Sequence, residues 1–303
     1  MKFPTAFLSL IFTCLLMTAC RGDAATDEGA TSGRKPGAPA ASETMAAPVA
    51  AGASDYVPAG YELVWNDEFD YTGLPDTTRW GFQKGGFGWT AKELQYYSDG
   101  ELKNSKVEGG MLHITALKEK IDRNEFSSAR LVTKKKATFE QGYFEVRAKF
   151  PAGEGLRSAV WMVGDTVSKI GWPNAGEIDI VEHYGKVPDY IGGAVQTQAD
   201  SWNRKGQKGG AVQLPTATSE FHVYAVQWTD EQLVFSLDGE PYLTYPRPTV
   251  VPGTLERGWP FKWPFYLAMN LSVGGVRGRQ SNNISDNIFP AEMLVDYVRV
   301  YQR

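Results

Sequence analysis

The stretch Gly176-Glu177-Ile178-Asp179-Ile180-Val181-Glu182 places three carboxylates within six residues of an otherwise apolar run. Its β-branched side chains predict a β-strand. In a regular strand Glu177 and Asp179 share one face, whereas Glu182 lies on the opposite face. One extra residue near Ile180 and Val181, a β-bulge, would bring all three carboxylates to the same face, and such bulges are frequent beside active sites. The sequence therefore predicts a bulged strand that carries a carboxylate cluster.

The spacing within this cluster indicates its chemistry. With the bulge, Glu177 and Glu182 stand as if four positions apart, about 13 Å between Cα atoms at ~3.3 Å per residue. Leaning of both side chains brings the carboxyl groups to about 6 Å, near the ~5–5.5 Å of glycosidases that retain configuration and short of the ~6.5–9.5 Å of inverting ones. Three like charges on one face repel each other, a cost that is usually tolerated where it raises a useful pKa. The cluster is therefore predicted to be an active site rather than an exposed strand edge.

Period-two alternation in other segments extends the β prediction to the whole domain. In residues 142–150, one face carries Phe144, Val146, Ala148 and Phe150. No segment of twelve or more residues shows a helical stripe. We expect an all-β fold, with two antiparallel sheets packed as a sandwich of the jelly-roll, concanavalin-like type. The other strand candidates are 221–228, 233–245 with a hairpin turn at Asp238-Gly239, and 293–301.

Composition and charge exclude several classes of protein. The 303 residues carry 31 Lys and Arg against 35 Asp and Glu, which gives a net charge of −4. A nucleic-acid-binding protein normally has a basic excess, so we expect no nucleic-acid partner. No apolar run reaches the ~18 residues of a transmembrane helix. With two Cys and three His, the chain has little material for a metal cluster or a disulfide scaffold.

The N-terminus has the layout of an export signal. Residues 1–19 combine Lys2 with an apolar run that is too short to span a bilayer, as in a secretory signal peptide. The signal ends in Leu-Met-Thr-Ala before Cys20, which resembles a bacterial lipobox and predicts lipidation of Cys20. We therefore expect a lipoprotein of the cell envelope that contacts the membrane through its lipid anchor only. Arg21 favours the outer membrane, and without lipidation the protein would be secreted.

A change in composition marks the start of the folded domain. Residues 20–55 are rich in Ala, Gly, Pro, Ser and Thr and contain no aromatic residue, Leu or Ile. Such a stretch cannot bury enough apolar surface to offset its chain entropy, so it is interpreted as a flexible linker. Residues 56–303 are predicted to form one catalytic domain, and we expect a monomer. Both cysteines, Cys14 and Cys20, precede this domain, which must therefore depend on its core for stability.

The motifs resemble those of a known family. The bulged carboxylate motif at 176–182 is similar to the signature of glycoside hydrolase family 16, in the form found in laminarinases, which are endo-1,3-β-glucanases. The resemblance covers nearly the whole domain, because seven further blocks follow in the family's order. These blocks are Val64–Asp70, Glu93–Tyr97, Val107–Ile114, Ser128–Arg130, Gly142–Pro151, Trp161–Met162 and Phe289–Tyr301.

The resemblance implies a concave sheet that forms a cleft for a polysaccharide, and it implies a role for each carboxylate. Glu177 matches the nucleophile, Glu182 the general acid/base, and Asp179 the residue that holds the geometry and charge of the nucleophile. Two glutamates in these roles suit a double displacement, in which one attacks while the other gives and then takes a proton. A further hypothesis is that Asp179 raises the pKa of Glu182.

The resemblance also implies a set of substrate-binding residues. Sugar rings present flat C–H faces, which aromatic side chains can bind, and Trp89, Trp161 and Trp172 lie in blocks that line the family's cleft. Arg130 matches an arginine that contacts sugar. Gln196 stands where the family has a histidine near the scissile bond, and an amide can form hydrogen bonds there but cannot carry a proton.

Two other departures from the laminarinase pattern bear on the choice of substrate. Ala91-Lys92 stand where many laminarinases have Asn-Asn, and Arg157–Trp161 replaces Trp-Pro-Ala-Phe-Trp. Neither departure alters the two glutamates of the motif.

Some members of the family bind a structural calcium ion, although the chemistry requires no cofactor. The matching ligand positions are Glu68 and Gly110, through backbone oxygens, and Asp296. Oxygen ligands of this kind suit calcium.

The leading prediction is a retaining endo-β-glycanase that cleaves internal β-1,3-linkages of a laminarin-type glucan. A mixed-linkage glucan and an agar-type galactan are alternative substrates for the same fold. A different class of protein, a non-catalytic glucan-binding surface lipoprotein, is also considered. Relatives of that kind typically lose the catalytic glutamates, whereas Glu177 and Glu182 are both present. The small net charge of −4 suits a neutral glucan better than a sulfated galactan.

Overall fold

The computed structural model describes residues 54–89, 91–201, 208–249, 255–276 and 280–303. The predicted signal peptide 1–19, the lipidation site Cys20 and almost all of the linker 20–55 lie outside the described residues and stay predictions. In the described part of the chain, no helix is long and apolar enough to cross a membrane.

Strands account for most of the described chain. Helices are limited to α1 (Val167–Ile170), α2 (Leu255–Gly258) and a 3-10 turn at Asp286–Ile288 within the described ranges. The strands are β1 (Glu62–Asp67), β2 (Gly81–Phe82), β3 (Gln95–Tyr97), β4 (Ser105–Glu108), β5 (Met111–Ile121), β6 (Asn124–Ser128), β7 (Arg130–Val132), β8 (Gly142–Lys149), β9 (Leu156–Gly164), β10 (Glu177–Tyr184), β11 (Tyr190–Gln196), β12 (Lys208–Gln213), β13 (His222–Trp228), β14 (Gln232–Leu237), β15 (Glu240–Pro246), β16 (Phe265–Val273) and β17 (Ala291–Gln302).

The strands form two sheets, as predicted. The first sheet has the order β15-β14-β13-β8-β17-β5-β6-β3, with β1 against β17 and β4 against β5. The second sheet has the order β12-β11-β10-β9-β16-β7-β2. The pairings between these strands are antiparallel except that of β3 with β6, which is parallel. The expected all-β, two-sheet sandwich is confirmed, and the carboxylate strand β10 lies in the interior of the second sheet.

The hydrophobic core lies between the two sheets. Strand β8 contributes Phe144, Val146 and Ala148, and Phe150 follows directly after the strand. All four are buried, which confirms the face predicted from their alternation. On the neighbouring strand β13, Trp228 also enters the core and stacks on Phe144 with ring centroids 6.3 Å apart.

The predicted hairpin within 233–245 is confirmed. Strands β14 and β15 pair with Leu237 opposite Glu240, so that Asp238 and Gly239 form a two-residue turn. Both turn residues have positive φ, 48° and 84° respectively. This conformation is that of a type I′ turn, for which Asp-Gly is among the preferred pairs.

Strand β10 carries the predicted bulge. Its register shifts between Asp179 and Val181 against β9, and between Asp179 and Glu182 against β11. Ile180 and Val181, although consecutive, both pack in the core. Across the bulge, Asp179 faces Trp161 and Glu182 faces the residue two positions earlier on the regular strand β9, so the two acids share one face. We call this face, opposite to the core, the cleft face.

Deletion of Ile180 should test the bulge. It removes the extra residue and restores regular alternation, so we expect a folded variant that keeps all three carboxylates on the cleft face. The lost burial of one side chain should cost about 2 kcal/mol in the free energy of unfolding, measured by chemical denaturation. Deletion of Val146 from the regular strand β8 is the matched control, because it should move the following side chains to the wrong face and abolish folding. Equal damage from the two deletions would contradict the bulge.

Candidate active site

Two pockets open on the cleft face of the second sheet. One, of about 260 Å³, is lined by Glu177 and Asp179 together with predicted substrate-binding residues. The other, of about 300 Å³, is lined by Glu182 and by strands β11 and β12. Arg157 lines the first pocket and donates a hydrogen bond to Glu182 of the second, so this pair links the two groups of lining residues.

The three carboxylates are almost fully buried. Glu177 and Glu182 are each 6% exposed and Asp179 is 1% exposed. Buried carboxylates need hydrogen-bond partners, because the loss of water otherwise costs several kcal/mol. Each of the three has such a partner, and each partner comes from a different part of the chain.

The partner of Glu177 comes from the loop that precedes β10. The indole Nε1 of Trp172 donates a hydrogen bond of 3.0 Å to Oε2 of Glu177. Gly176, next to Glu177, has a φ of 80°, and a Cβ there would lie 2.7 Å from Pro260 and 2.9 Å from Phe265. Only glycine fits this approach without strain, which explains the glycine at the start of the motif. Trp172 is half-buried at the pocket, and its role as a sugar platform stays a prediction.

Asp179 and Glu182 are held by the strands on either side of β10. Gln196 on β11 donates from Nε2 to Oδ2 of Asp179 over 3.0 Å. Arg157 on β9 donates from Nε to Oε1 of Glu182 over 3.0 Å, and its Nη2 donates to the same oxygen. Gln196 is fully buried, and its observed contact is with Asp179. Its predicted contact with sugar stays a prediction.

Arg130 and two of the candidate sugar platforms form one cluster. The guanidinium of Arg130 lies 4.3 Å from the ring centroid of Trp89, 4.6 Å from that of Tyr97 and 5.5 Å from that of Trp161. On its polar edge it is 3.7 Å from the carboxylate of Glu93. These contacts are cation–π interactions and a buried ion pair. The three predicted residues Arg130, Trp89 and Trp161 are thus brought together at the first pocket, next to Glu177.

Sequence reasoning missed several residues that line the first pocket. Asn270 is fully buried in β16, where its Oδ1 accepts a hydrogen bond of 2.9 Å from Trp161 and its Nδ2 has no partner in the described part of the chain. A lone Asn in the apolar strand Phe265–Val273 is a signal that could have been noticed, because a buried polar group needs a reason. Glu93 and Arg157 also line this pocket, although neither is predicted as a site residue from the sequence.

His183, which follows Glu182 directly, faces the core. Its ring stacks on Phe150 with centroids 5.2 Å apart, and its Nε2 lies 3.0 Å from the carbonyl oxygen of Pro188. Burial lowers the pKa of His183 below its usual value, against the opposing effect of this hydrogen bond. The ring therefore favours its neutral form and lies on the core side of β10, away from the cleft face.

The three predicted calcium ligands lie on or directly beside strands of the first sheet. Asp296 lies on β17 between the residues that pair with β5 and those that pair with β1, while Gly110 directly precedes β5 and Glu68 directly follows β1. Oδ2 of Asp296 accepts a hydrogen bond of 2.5 Å from Arg147, so this carboxylate is already neutralised by a guanidinium. Among the described residues, no group of three or more His, Cys, Asp or Glu is arranged to hold a metal.

A β-sandwich that buries two glutamates and an intervening aspartate in a tryptophan-lined cleft is the arrangement of a glycoside hydrolase. A family model described as glycosyl hydrolases family 16 matches residues 89–299, and the chain belongs to this family. It is 45% identical over 245 residues to a beta-glucanase of Rhodothermus marinus, covering 80% of this chain and 85% of that protein.

Solved structures agree with this assignment. The laminarinase from Rhodothermus marinus matches with a TM-score of 0.77 and 45% identity, over 80% of this chain and 97% of that one. A variant of SCLam, a non-specific endo-β-1,3(4)-glucanase from family GH16, matches with a TM-score of 0.76 and 37% identity, over 82% of this chain and 96% of that one. The predicted family and the predicted enzyme class, a glycosidase, are confirmed.

Proposed function

We propose that the protein hydrolyses internal β-1,3-linkages of a laminarin-type glucan with retention of configuration. The observation that carries this proposal is the bulge in β10, which puts Glu177, Asp179 and Glu182 on the cleft face. Similarity to the beta-glucanase and laminarinase of Rhodothermus marinus, at 45% identity, supports the choice of glucan.

In the first step, Glu177 attacks the anomeric carbon while Glu182 protonates the departing glycosidic oxygen. The reacting oxygen of Glu177 must be oriented in advance, and the hydrogen bond from Trp172 supplies this orientation at 3.0 Å. Attack forms a covalent glycosyl–enzyme bond through Glu177, and the leaving chain takes the proton of Glu182.

In the second step, Glu182 is a carboxylate and acts as a base toward water. The water attacks the anomeric carbon, the bond to Glu177 breaks, and Glu182 regains its proton. Two inversions give net retention. Asp179 stands between the two glutamates along the strand, and its contact with Gln196 fixes its carboxylate beside them. We assign Asp179 the role of holding the geometry and charge of Glu177.

The pocket beside Glu177 suits a neutral sugar chain. Trp172, Trp161 and Trp89 offer aromatic surface, and Arg130 and Asn270 offer N–H donors at the same pocket. We propose that these residues bind the glucose units on the non-reducing side of the scissile bond. The net charge of −4 supports a neutral glucan over a sulfated galactan.

A mixed-linkage glucan is a second candidate substrate. It is favoured by the similarity to SCLam, which is described as a non-specific endo-β-1,3(4)-glucanase and was crystallised with a 1,3-linked cellotriosyl-glucose. Activity assays on both glucans therefore distinguish the two candidate substrates.

We further propose that the enzyme is an exported monomer anchored in the outer membrane through a lipid on Cys20. The proposal is supported by the signal-like residues 1–19 and the lipobox-like sequence before Cys20. The composition of residues 20–55 suits a linker that lets the catalytic domain reach polysaccharide away from the membrane.

A structural calcium ion between Glu68, Gly110 and Asp296 is proposed as a stabilising ligand only. Two backbone carbonyl oxygens and one carboxylate are suitable donors. Arg147 competes for the carboxylate, because it already donates to Asp296 over 2.5 Å. No step of the chemistry involves this place.

Substitution of the two glutamates tests the function. Glu177→Gln and Glu182→Gln should each lower the rate on laminarin by about 100-fold or more, because one variant loses the nucleophile and the other the proton donor. Glu240→Gln, at the exposed turn of the β14–β15 hairpin, is the matched control and should keep full activity. Reducing-sugar release from laminarin, curdlan, mixed-linkage glucan and agarose ranks the substrates, and NMR of the first product should show the β-anomer. Binding of laminarin without cleavage would favour the non-catalytic class instead.

Replacement of Cys20 tests the anchor. In a Gram-negative host the full chain should fractionate with the outer membrane and incorporate labelled fatty acid. Cys20→Ser should do neither, because the acceptor of the lipid is missing. The partner variant Cys14→Ser, within the proposed signal, should behave as the wild type. A soluble wild-type protein without label would contradict the anchor.

Calcium is tested by thermal unfolding in millimolar CaCl₂ and in EDTA. If the free calcium concentration is 100 times the dissociation constant, the free energy of unfolding should rise by about 2.7 kcal/mol, and the melting temperature should rise with it. Asp296→Asn should lose most of this gain. Identical melting temperatures of the wild type in the two buffers would rule out the calcium ion.

A further inference from the structure

Arg157 makes a contact that the proposed mechanism does not use. It lies on the cleft face of β9, only 4% exposed, opposite Tyr184 of β10. Its Nε and Nη2 both donate to the same atom, Oε1 of Glu182. The guanidinium thus holds one oxygen of the proposed acid/base by two hydrogen bonds, an arrangement that restricts rotation of the carboxyl group.

The charge of Arg157 is permanent in this environment. Burial lowers the pKa of Arg157, but the attraction of Glu182, Tyr184, Glu93 and Asp179 outweighs it and keeps this pKa well above its usual value. Arg157 therefore remains a cation throughout the pH range in which the enzyme works.

The other groups around the pair are acidic or neutral. Among the described residues, the titratable groups close to Arg157 or Glu182 include Glu177, Asp179 and Tyr184 of β10, Glu93 before β3, Tyr97 of β3, Tyr190 of β11 and Tyr242 of β15. The second arginine of the cleft, Arg130, is held instead between Trp89 and Tyr97. In this set Arg157 is the cation that acts on Glu182, and it opposes the effect of Asp179 and of burial.

We propose that Arg157 is a positioning residue for Glu182, which fixes the orientation of the carboxyl group and sets the pH above which the enzyme loses its general acid. The proposal rests on the proposed function, in which Glu182 is the acid/base. A nearby cation stabilises the carboxylate, which favours the base needed in the second step, while burial and Asp179 favour the acid needed in the first. Arg157 thereby balances the two states that one residue must adopt in turn.

The experiment measures the pH dependence of kcat/KM on laminarin for the wild type, Arg157→Leu and Arg157→Lys. The alkaline limb of this profile reports the proton on the general acid of the free enzyme. Removal of the cation in Arg157→Leu should move this limb upward by about one pH unit or more. Arg157→Lys keeps the charge but not the planar fork, so its limb should stay near that of the wild type while kcat falls by about 10-fold.

A second readout separates positioning from a structural role. With a dinitrophenyl laminaribioside, whose leaving group needs no proton, kcat/KM of Arg157→Leu should approach that of the wild type, although its kcat/KM on laminarin is low. Arg147→Leu is the matched control, because it breaks another largely buried arginine–carboxylate pair, with Asp296 on the first sheet. It should leave the pH profile and the ratio between the two substrates unchanged.

Clear outcomes overturn the proposal. An alkaline limb unmoved in a folded Arg157→Leu, or an equal loss on both substrates, would make Arg157 structural only. If Arg157→Leu does not fold, an unaltered kcat in Arg157→Lys would refute positioning. Failure of the proposed function is seen separately, because wild-type protein and Glu240→Gln would then release no sugar from laminarin.

Discussion

The strict alternation of side chains along a β-strand is the constraint on which the site depends. Acids at positions 177, 179 and 182 cannot share a face of a regular strand, because the last spacing is odd. In β10 one inserted residue removes this conflict and places Ile180 and Val181 together in the core. The burial of these two apolar side chains therefore determines where Glu182 points. The same shift aligns Arg157 with Tyr184, so the contact of Arg157 with Glu182 also depends on the bulge.

The three acids differ in the kind of donor that holds them. Glu177 and Asp179 accept from the neutral N–H groups of Trp172 and Gln196, whereas Glu182 accepts from the cation Arg157. Hydrogen bonds that involve a charged donor are roughly twice as strong as neutral ones. Of these three donors, the charged one thus contacts Glu182, the residue that changes its protonation state twice in each cycle of the proposed mechanism. The fold achieves this with strands on both sides of β10 and the loop before it.

Much of this architecture was predictable from sequence, because period-two patterns report directly which face is buried. The core face of β8, the Asp238-Gly239 turn and the bulge were all predicted from such local signals and are confirmed. The partners of the carboxylates were not predictable in this way. Arg157 is 25 positions from Glu182 along the chain, and Gln196 is 17 positions from Asp179. Only strand pairing brings these partners together. Asn270 was missed because its strand carries apolar residues on both faces, so that no period-two pattern distinguishes one face from the other.

The stack of Trp89, Arg130, Tyr97 and Trp161 has a consequence for the proposed binding of sugar. Each member is already confined by its neighbours, with the guanidinium between 4.3 and 5.5 Å from three ring centroids. Side chains that are free in the unbound protein lose about 0.5–1.5 kcal/mol each when a ligand immobilises them. Here most of that entropy was given up when the chain folded. If these residues bind glucan as proposed, the entropy of ordering this end of the cleft is therefore part of the folding free energy of the domain and not of the binding free energy.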